Sequence, residues 1–88
     1  MDRLAGKVAL ITGSGRGMGK SHAKLMAKEG AGVIVHDIDA ALVEEAAAEV
    51  RQYGGKVHTI VCDVADTDAY PKAIAAAGKA MGGHIDIL

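Results

Sequence analysis

The sequence has almost no aromatic residues: its 88 residues include two tyrosines and neither tryptophan nor phenylalanine. A core without large rings must be built from aliphatic residues and alanine, which suits close packing of helices on a sheet. Proline and cysteine occur once each, as Pro71 and Cys62. A lone cysteine excludes an internal disulfide and is typical of a reducing, cytoplasmic compartment. The four histidines share no spacing typical of a metal site, so we expect them at the surface or half-buried and expect no bound metal.

Net charge is also lacking, since ten basic and eleven acidic residues give a formal charge of −1. Because the two signs are interleaved, the sequence indicates neither a nucleic-acid partner nor a membrane surface. No apolar run approaches the ~20 residues of a membrane-spanning helix. The segment from Met1 to Leu4 does not resemble a secretory signal. The length corresponds to one domain at most, and no linker, repeat or low-complexity segment divides it.

Short apolar runs alternate with amphipathic segments along the chain. Three runs are predicted to be buried strands, and they cover residues 7–12, 33–37 and 57–62. Three segments have helical spacing, and they cover residues 17–29, 40–53 and about 66–81. Such alternation predicts an α/β fold of Rossmann type, a three-layer αβα sandwich with a parallel sheet. Residues 85–88 begin a fourth apolar run, which gives the expected strand order 3-2-1-4 and a sheet truncated after the start of strand four.

Each predicted helix has an apolar stripe that is expected to face the sheet. The first stripe is Met18, Leu25 and Met26. The second stripe is Val43, Ala46, Ala47 and Val50. The third stripe is Tyr70, Ile74, Ala77 and Met81. Asp39 is the predicted N-cap of the second helix, and Asp66, Thr67 or Asp68 is that of the third.

Glycine is abundant, and four of the twelve glycines fall within residues 12–19, where the first strand leads into the first helix. That segment reads Thr12-Gly13-Ser14-Gly15-Arg16-Gly17-Met18-Gly19. Glycines in such a loop permit a tight turn, close approach of the backbone to a pyrophosphate, and close packing of helix on strand. The unpaired N–H groups at the start of the following helix favour phosphates. The residues expected to bind a dinucleotide here are Gly13, Ser14, Arg16, Gly17, Met18 and Gly19, with simple turns as the alternative.

An acidic residue, Asp37, ends the second predicted strand. It follows the glycine loop at close to the ~20-residue offset typical of a carboxylate that bonds the adenosine ribose hydroxyls. We therefore expect Asp37, with Ile38 beside it, to contact a dinucleotide, and a turn or helix-start role for Asp37 is the alternative. The loop lacks the Gly-Lys-Ser/Thr ending of nucleoside triphosphatases.

The loop residues Thr12, Gly13, Gly17 and Gly19 match the pattern Thr-Gly-x-x-x-Gly-x-Gly, by which the chain resembles the short-chain dehydrogenases/reductases. The resemblance implies that Asp63 binds the adenine amino group and that the backbone of Val64 contacts the adenine ring. A loop cap is the alternative role for Asp63. Residues 83–88 resemble the family's entry to strand four.

The resemblance implies an oxidoreductase that moves hydride between nicotinamide and a small carbonyl or alcohol substrate, as part of a longer, homo-oligomeric protein. The family's Asn-Asn-Ala-Gly segment, catalytic serine and Tyr-x-x-x-Lys pair are absent from these 88 residues, since Val57 follows Tyr53 and Ile74 follows Tyr70 at that spacing. We therefore expect residues 1–88 to form the N-terminal, cofactor-binding part of one Rossmann domain, inactive alone. A non-catalytic nucleotide-binding module or assembly partner and a methyltransferase-like domain are the alternatives.

Asp37 also favours NAD over NADP. A carboxylate can bond both ribose hydroxyls, whereas a 2′-phosphate about 4 Å away would be opposed by up to about 4 kcal/mol at an effective dielectric near 20. Asp39 adds to the negative field, while Arg16 can pair with a 2′-phosphate. We expect NAD as the cofactor and NADP as the weaker ligand.

Overall fold

The computed structural model describes residues 6–15, 17–63, 65–82 and 85–86. Within these residues strands and helices alternate in the predicted order: β1 (Val8–Ile11), α1 (Gly17–Lys28), β2 (Gly32–Asp37), α2 (Ala40–Arg51), β3 (Val57–Val61) and α3 (Ala69–Ala80). The predicted element boundaries differ only slightly from the observed ones. None of the helices in these stretches combines the length and the apolarity that crossing a bilayer requires.

The described strands form one parallel sheet in which β2 lies between β1 and β3. Val8 pairs with Gly32 at one end of the β1–β2 ladder, and Asp37 pairs with Val61 at the other end of the sheet. Because the strands run in the same direction, their carboxyl ends meet at one edge. The predicted order 3-2-1 of these strands is confirmed.

Helices cover both faces of the sheet. On one face, Val33 and Val35 of β2 pack in a cluster with buried residues of α1 and α2. On the other face, Ile34 packs in a cluster with Ala77 of α3 and with Met81. Successive residues of a strand point to opposite faces, so β2 is buried on both sides, as its continuous apolar run predicts. The predicted three-layer αβα arrangement is confirmed.

Helix α2 begins at a side-chain cap and packs through its predicted stripe. The carboxylate oxygen Oδ1 of Asp39 accepts hydrogen bonds from the N–H groups of Ala41, at 2.9 Å, and Leu42, at 3.2 Å. The first N–H groups of a helix have no partner within the helix, so this side chain supplies what they lack. The buried residues of the stripe are Val43, Ala46, Ala47 and Val50.

We expect Asp39→Ala to lower the free energy of unfolding by about 1 kcal/mol, because two N–H groups lose their side-chain acceptor. Asp39→Asn keeps an oxygen at the cap and should change the free energy of unfolding by only a few tenths of the effect of Asp39→Ala. Urea denaturation followed by circular dichroism measures both values. Equal destabilisation by the two substitutions would show that the hydrogen bonds to Asp39 are not what stabilises this helix end.

Helix α1 packs through smaller residues than the sequence predicted. Ala23 and Ala27, one turn apart, are buried in the cluster that includes the residues of β2. Met26 is partly buried against the same cluster, but Met18 and Leu25 are 76 % and 56 % exposed. The assignment of Met18 and Leu25 to the core-facing stripe was therefore wrong. Alanine side chains let the helix lie close to the sheet, and the longer side chains then project from its sides.

Ion pairs join α1 to α2 on the solvent side. The Nζ atoms of Lys20 and Lys24 lie 2.8 Å and 3.3 Å from the carboxylate oxygens of Glu49. The hydrogen bond from Lys20, followed by that from Lys24, lowers the pKa of the Glu49 carboxyl, and the same bond to Glu49 raises the pKa of Lys20. The three side chains are partly exposed to solvent, which screens their charges, so we expect these pairs to contribute only modestly to stability.

Helix α3 begins at an aspartate turn. The Oδ1 atom of Asp66 accepts hydrogen bonds from the N–H groups of Asp68, at 3.1 Å, and Ala69, at 2.9 Å. Asp68 occupies the N-cap position without a side-chain hydrogen bond of its own to the helix. The predicted stripe of α3 is buried or half-buried and consists of Tyr70, Ile74, Ala77 and Met81.

Residues 85–86 follow α3 and lie beside β1, on the side away from β2. The N–H of Asp86 donates to the carbonyl oxygen of Val8 at 2.8 Å, and its Oδ2 atom accepts from the N–H of Val8 at 2.9 Å. This is the position that the order 3-2-1-4 assigns to the fourth run. The rest of that predicted strand, residues 87–88, lies outside the described residues.

Candidate dinucleotide-binding site

The glycine loop joins β1 to α1 at the carboxyl edge of the sheet. Gly13 and Gly17 have φ angles of 65° and 56°, which residues with a Cβ atom rarely adopt. Gly19 lies in the first turn of α1, where a Cβ atom would be 2.6 Å from the carbonyl oxygen of Gly13. A Cβ atom at Gly13 or Gly17 would meet nothing within 4 Å, so the loop presents its backbone to open space. This arrangement fits the approach of a phosphate group to backbone N–H groups.

Ser14 anchors the loop to β2. Its side chain is fully buried, and its hydroxyl accepts a hydrogen bond from the N–H of His36 at 2.9 Å. The N–H of Ser14 donates to the carbonyl oxygen of His36 at 2.7 Å, and the hydroxyl lies 3.3 Å from the same oxygen. These polar groups of Ser14 are therefore occupied within the protein, and its contact with a dinucleotide stays a prediction.

Asp37 ends β2 directly beside the glycine loop and is 6 % exposed. Its Oδ2 atom accepts a hydrogen bond from the N–H of Gly15 at 3.2 Å, and Oδ1 accepts one from the N–H of Ile38 at 2.8 Å. A Cβ atom at Gly15 would lie 2.7 Å from Oδ2, so glycine is what permits this approach. The carboxylate expected to bind ribose thus borders the loop expected to bind phosphate.

His36 is a residue of this site that the sequence analysis missed. It is 4 % exposed, so the expected surface or half-buried position was wrong for this histidine. Its Nδ1 atom accepts a hydrogen bond from the N–H of Gly13 at 3.2 Å, and its Nε2 atom lies 2.7 Å from the carbonyl oxygen of Cys62. A signal was present in the sequence, since a polar ring directly follows the aliphatic run of β2 and needs hydrogen-bond partners when buried.

The end of β3 contributes the third side of the site. Asp63 is exposed, and its Oδ1 atom accepts a hydrogen bond from the N–H of Ala65 at 2.9 Å. This local bond is the one that the loop-cap alternative describes, and the contact of Asp63 with adenine stays a prediction. The predicted contacts of Arg16 and Val64 fall on residues outside those that the structure describes.

A cleft of about 350 Å³ opens where the three strands end. Its lining residues come from the ends of β1, β2 and β3 and are Thr12, Gly13, His36, Asp37, Ile38, Cys62 and Asp63. The fold thus brings together Gly13, Asp37, Ile38 and Asp63, which the sequence analysis assigned to a dinucleotide. Gly17, Met18 and Gly19 begin α1, the helix that follows the loop.

A smaller cleft, of about 230 Å³, lies at the opposite edge of the sheet and includes Lys7, Lys56 and Met81. It contains none of the predicted site residues. Ligands of open parallel sheets bind outside the carboxyl ends of the strands, so we assign the function to the first cleft. In the part of the chain that the structure describes, no three His, Cys, Asp or Glu side chains converge as metal ligands.

A glycine loop that follows a buried parallel strand and borders an acidic strand end defines a nucleotide-binding domain of Rossmann type. The family model described as short chain dehydrogenase matches residues 7–88, and the chain belongs to that family. The family assignment favours the dehydrogenase interpretation over the methyltransferase-like alternative.

Curated relatives include a 2,5-dichloro-2,5-cyclohexadiene-1,4-diol dehydrogenase from Sphingobium indicum. It is 46 % identical over 82 residues, which cover 93 % of this chain and 33 % of the relative. A cyclopentanol dehydrogenase from Comamonas testosteroni is 40 % identical over 74 residues, covering 84 % of this chain and 30 % of the relative. The chain therefore spans about a third of the length of these relatives.

Solved structures of similar fold include two with bound cofactor. An NAD⁺-bound xylitol dehydrogenase superimposes with a TM-score of 0.92 at 31 % identity, over 97 % of this chain and 33 % of that one. A carveol dehydrogenase from Mycobacterium avium in complex with NAD gives a TM-score of 0.91 at 33 % identity, over 99 % of this chain and 36 % of that one.

Proposed function

We propose that this chain is the NAD-binding portion of an oxidoreductase that transfers hydride between nicotinamide and a small carbonyl or alcohol substrate. The observation that carries the proposal is the convergence of Gly13, Asp37 and Asp63 on one cleft, from the ends of three neighbouring strands. The NAD complexes of two structural neighbours support the same assignment. The nicotinamide supplies the hydride acceptor or donor when the cofactor is bound.

Each part of the proposed site has a task in holding that cofactor. The backbone N–H groups of Gly17, Met18 and Gly19 at the start of α1 hold the diphosphate, together with the loop residue Arg16. Asp37 orients the adenosine ribose by accepting hydrogen bonds from its hydroxyls, and it disfavours a 2′-phosphate at the same place. Asp63 and Val64 complete the adenine end.

The chemical step is assigned to the longer protein of which this chain is proposed to be a part. Neither tyrosine of these 88 residues has a lysine four positions on. We therefore propose hydride transfer, the carbonyl or alcohol substrate and the homo-oligomeric assembly for that longer protein. We propose a reducing, cytoplasmic compartment for it as well. We expect this chain alone to bind NAD without reducing it. Any reduction would be detected as a change in the absorbance of the nicotinamide.

We expect calorimetric titration of the full chain with NAD to give saturable binding at one site, with weaker binding of NADP. Gly13→Ala should reduce the NAD affinity by about tenfold or more, since the altered loop loses roughly 1.4 kcal/mol or more of binding energy. Gly82→Ala is the matched control, because Gly82 also has a positive φ, 109°, with open space around a Cβ atom, but does not line the cleft.

The control variant should be strained in the same way as Gly13→Ala and still bind NAD with unchanged affinity. No association of the full chain with NAD or NADP at millimolar concentration would contradict the proposed function. An equal loss of affinity in both variants would contradict the assignment of Gly13 to the site.

A further inference from the structure

The imidazole of His36 joins two loops that the sheet itself does not connect. Gly13 begins the glycine loop after β1, and Cys62 follows β3, while β2 separates these strands in the sheet. One ring nitrogen contacts the N–H of Gly13 at 3.2 Å, and the other contacts the carbonyl oxygen of Cys62 at 2.7 Å. The ring is therefore a crosslink of hydrogen bonds along the carboxyl edge.

Its two partners require one form of the ring. The N–H of Gly13 is a donor, so the Nδ1 atom of His36 must be an unprotonated acceptor. The carbonyl oxygen of Cys62 is an acceptor, so the Nε2 atom must carry the hydrogen. Neutral imidazole with its hydrogen on Nε2 satisfies both bonds, and a doubly protonated ring would set two donors against each other at Gly13.

The position of this crosslink relates it to the cleft. Gly13, His36 and Cys62 all line the cleft, and Asp63 follows Cys62 directly. The ring of Tyr70, from α3, contacts the imidazole edge-on with a centroid separation of 5.4 Å and an interplanar angle of 66°. Hydrogen bonds on both sides and this ring behind it fix the orientation of the imidazole.

We propose that His36 is a positioning residue for the cofactor, holding the glycine loop and the loop after β3 at the separation that adenosine binding requires. This inference rests on the proposed NAD-binding function and adds a residue that does not itself have to contact the nucleotide. It makes the affinity for NAD depend on one buried histidine.

Three substitutions of His36 in the full chain separate the two bonds. His36→Asn offers an oxygen near the position of Nδ1 and can still accept from Gly13, whereas His36→Gln offers an N–H group that reaches toward Cys62. His36→Leu removes both bonds. At about pH 8 we expect the first two to bind NAD about three- to tenfold more weakly than the wild type, and His36→Leu about ten- to a hundredfold more weakly.

The decisive measurement is the backbone N–H signal of Gly13 in NMR spectra, because a residue that only fills space would not change it selectively. We expect His36→Asn, which keeps an acceptor for this N–H group, to leave its chemical shift close to that of the wild type, and His36→Leu to change it. His22→Asn is the matched control, since His22 is exposed on α1, and it should keep both the wild-type signal and the wild-type affinity for NAD. Circular dichroism of each variant monitors the fold.

Each outcome bears on the proposal in a distinct way. A graded loss of NAD affinity, largest in His36→Leu, smaller in His36→Asn and His36→Gln and absent in His22→Asn, supports the positioning role. A His36→Leu variant that binds NAD as tightly as the wild type overturns it while leaving NAD binding intact. If the wild type binds no NAD at pH 8, the proposed function fails, and the positioning role fails with it. In that case, the NMR signal of the Gly13 amide in His36→Asn and His36→Leu still tests whether the imidazole bond exists.

Discussion

Replacing Gly19 by alanine is expected to lower the free energy of unfolding by about 1–3 kcal/mol, even though alanine is the better helix former. The added Cβ atom would lie 2.6 Å from the carbonyl oxygen of Gly13 and 3.1 Å from the Cα atom of Ser14. Both contacts are with backbone, which cannot rotate away, so the loop must move. Because the displaced loop is the proposed diphosphate site, the affinity for NAD should fall by about tenfold or more.

Gly78→Ala provides the matched control for this prediction. Gly78 is also a helical glycine and is buried, but a Cβ atom there would meet the side chain of Ile85 at 3.6 Å, an ordinary contact distance. The control should be neutral or stabilising by up to about 1 kcal/mol, with unchanged NAD binding. Urea denaturation and calorimetric titration measure both effects. A Gly19→Ala variant as stable as Gly78→Ala would contradict the close contact between α1 and the glycine loop.

Replacing Asp37 by asparagine should reduce the preference for NAD over NADP by about ten- to a hundredfold. The substitution removes the charge that opposes a 2′-phosphate and leaves one oxygen to accept a hydrogen bond. It should also weaken NAD binding by about tenfold, because two backbone N–H groups and the ribose hydroxyls then share that oxygen. Parallel titrations with NAD and NADP measure the preference directly.

Asp39→Asn separates a local effect of Asp37 from a general effect of charge. It removes the same charge two residues away, at an exposed position, and keeps its oxygen at the cap of α2. We expect it to shift the cofactor preference by less than about twofold, since charges exposed to solvent are screened. An unchanged preference in Asp37→Asn, or an equal shift in Asp39→Asn, would refute the assignment of Asp37 to the ribose.

Most of the fold could be predicted from the sequence because local patterns and tertiary packing agree here. The run that became β2 is apolar at every position from Val33 to Val35, as burial on both faces requires. The stripe of α2 matches the observed core, and its N-cap, Asp39, makes the expected bonds. The place of Asp37 at the carboxyl edge follows from strand direction alone, so it too could be derived.

Other features depend on distances between segments that local patterns do not encode. In α1 the large apolar residues were predicted to face the sheet because they stand out in the sequence pattern. The residues that pack on the sheet are instead Ala23 and Ala27. The hydrogen bonds of Ser14 and His36 join positions 22 or more residues apart. Such partners can be identified only when the loops are placed in space. For that reason the hydrogen bonds by which His36 links Gly13 to Cys62 were not predicted.

The contact between Asp86 and Val8 has a consequence for how separate molecules behave. An uncovered sheet edge offers its backbone N–H and carbonyl groups to any passing strand, which is a common route to aggregation. At Val8 both groups are already occupied, one by the backbone and one by the carboxylate of the same residue. To pair with β1 at Val8, a strand of a second copy would therefore have to displace a charged side chain.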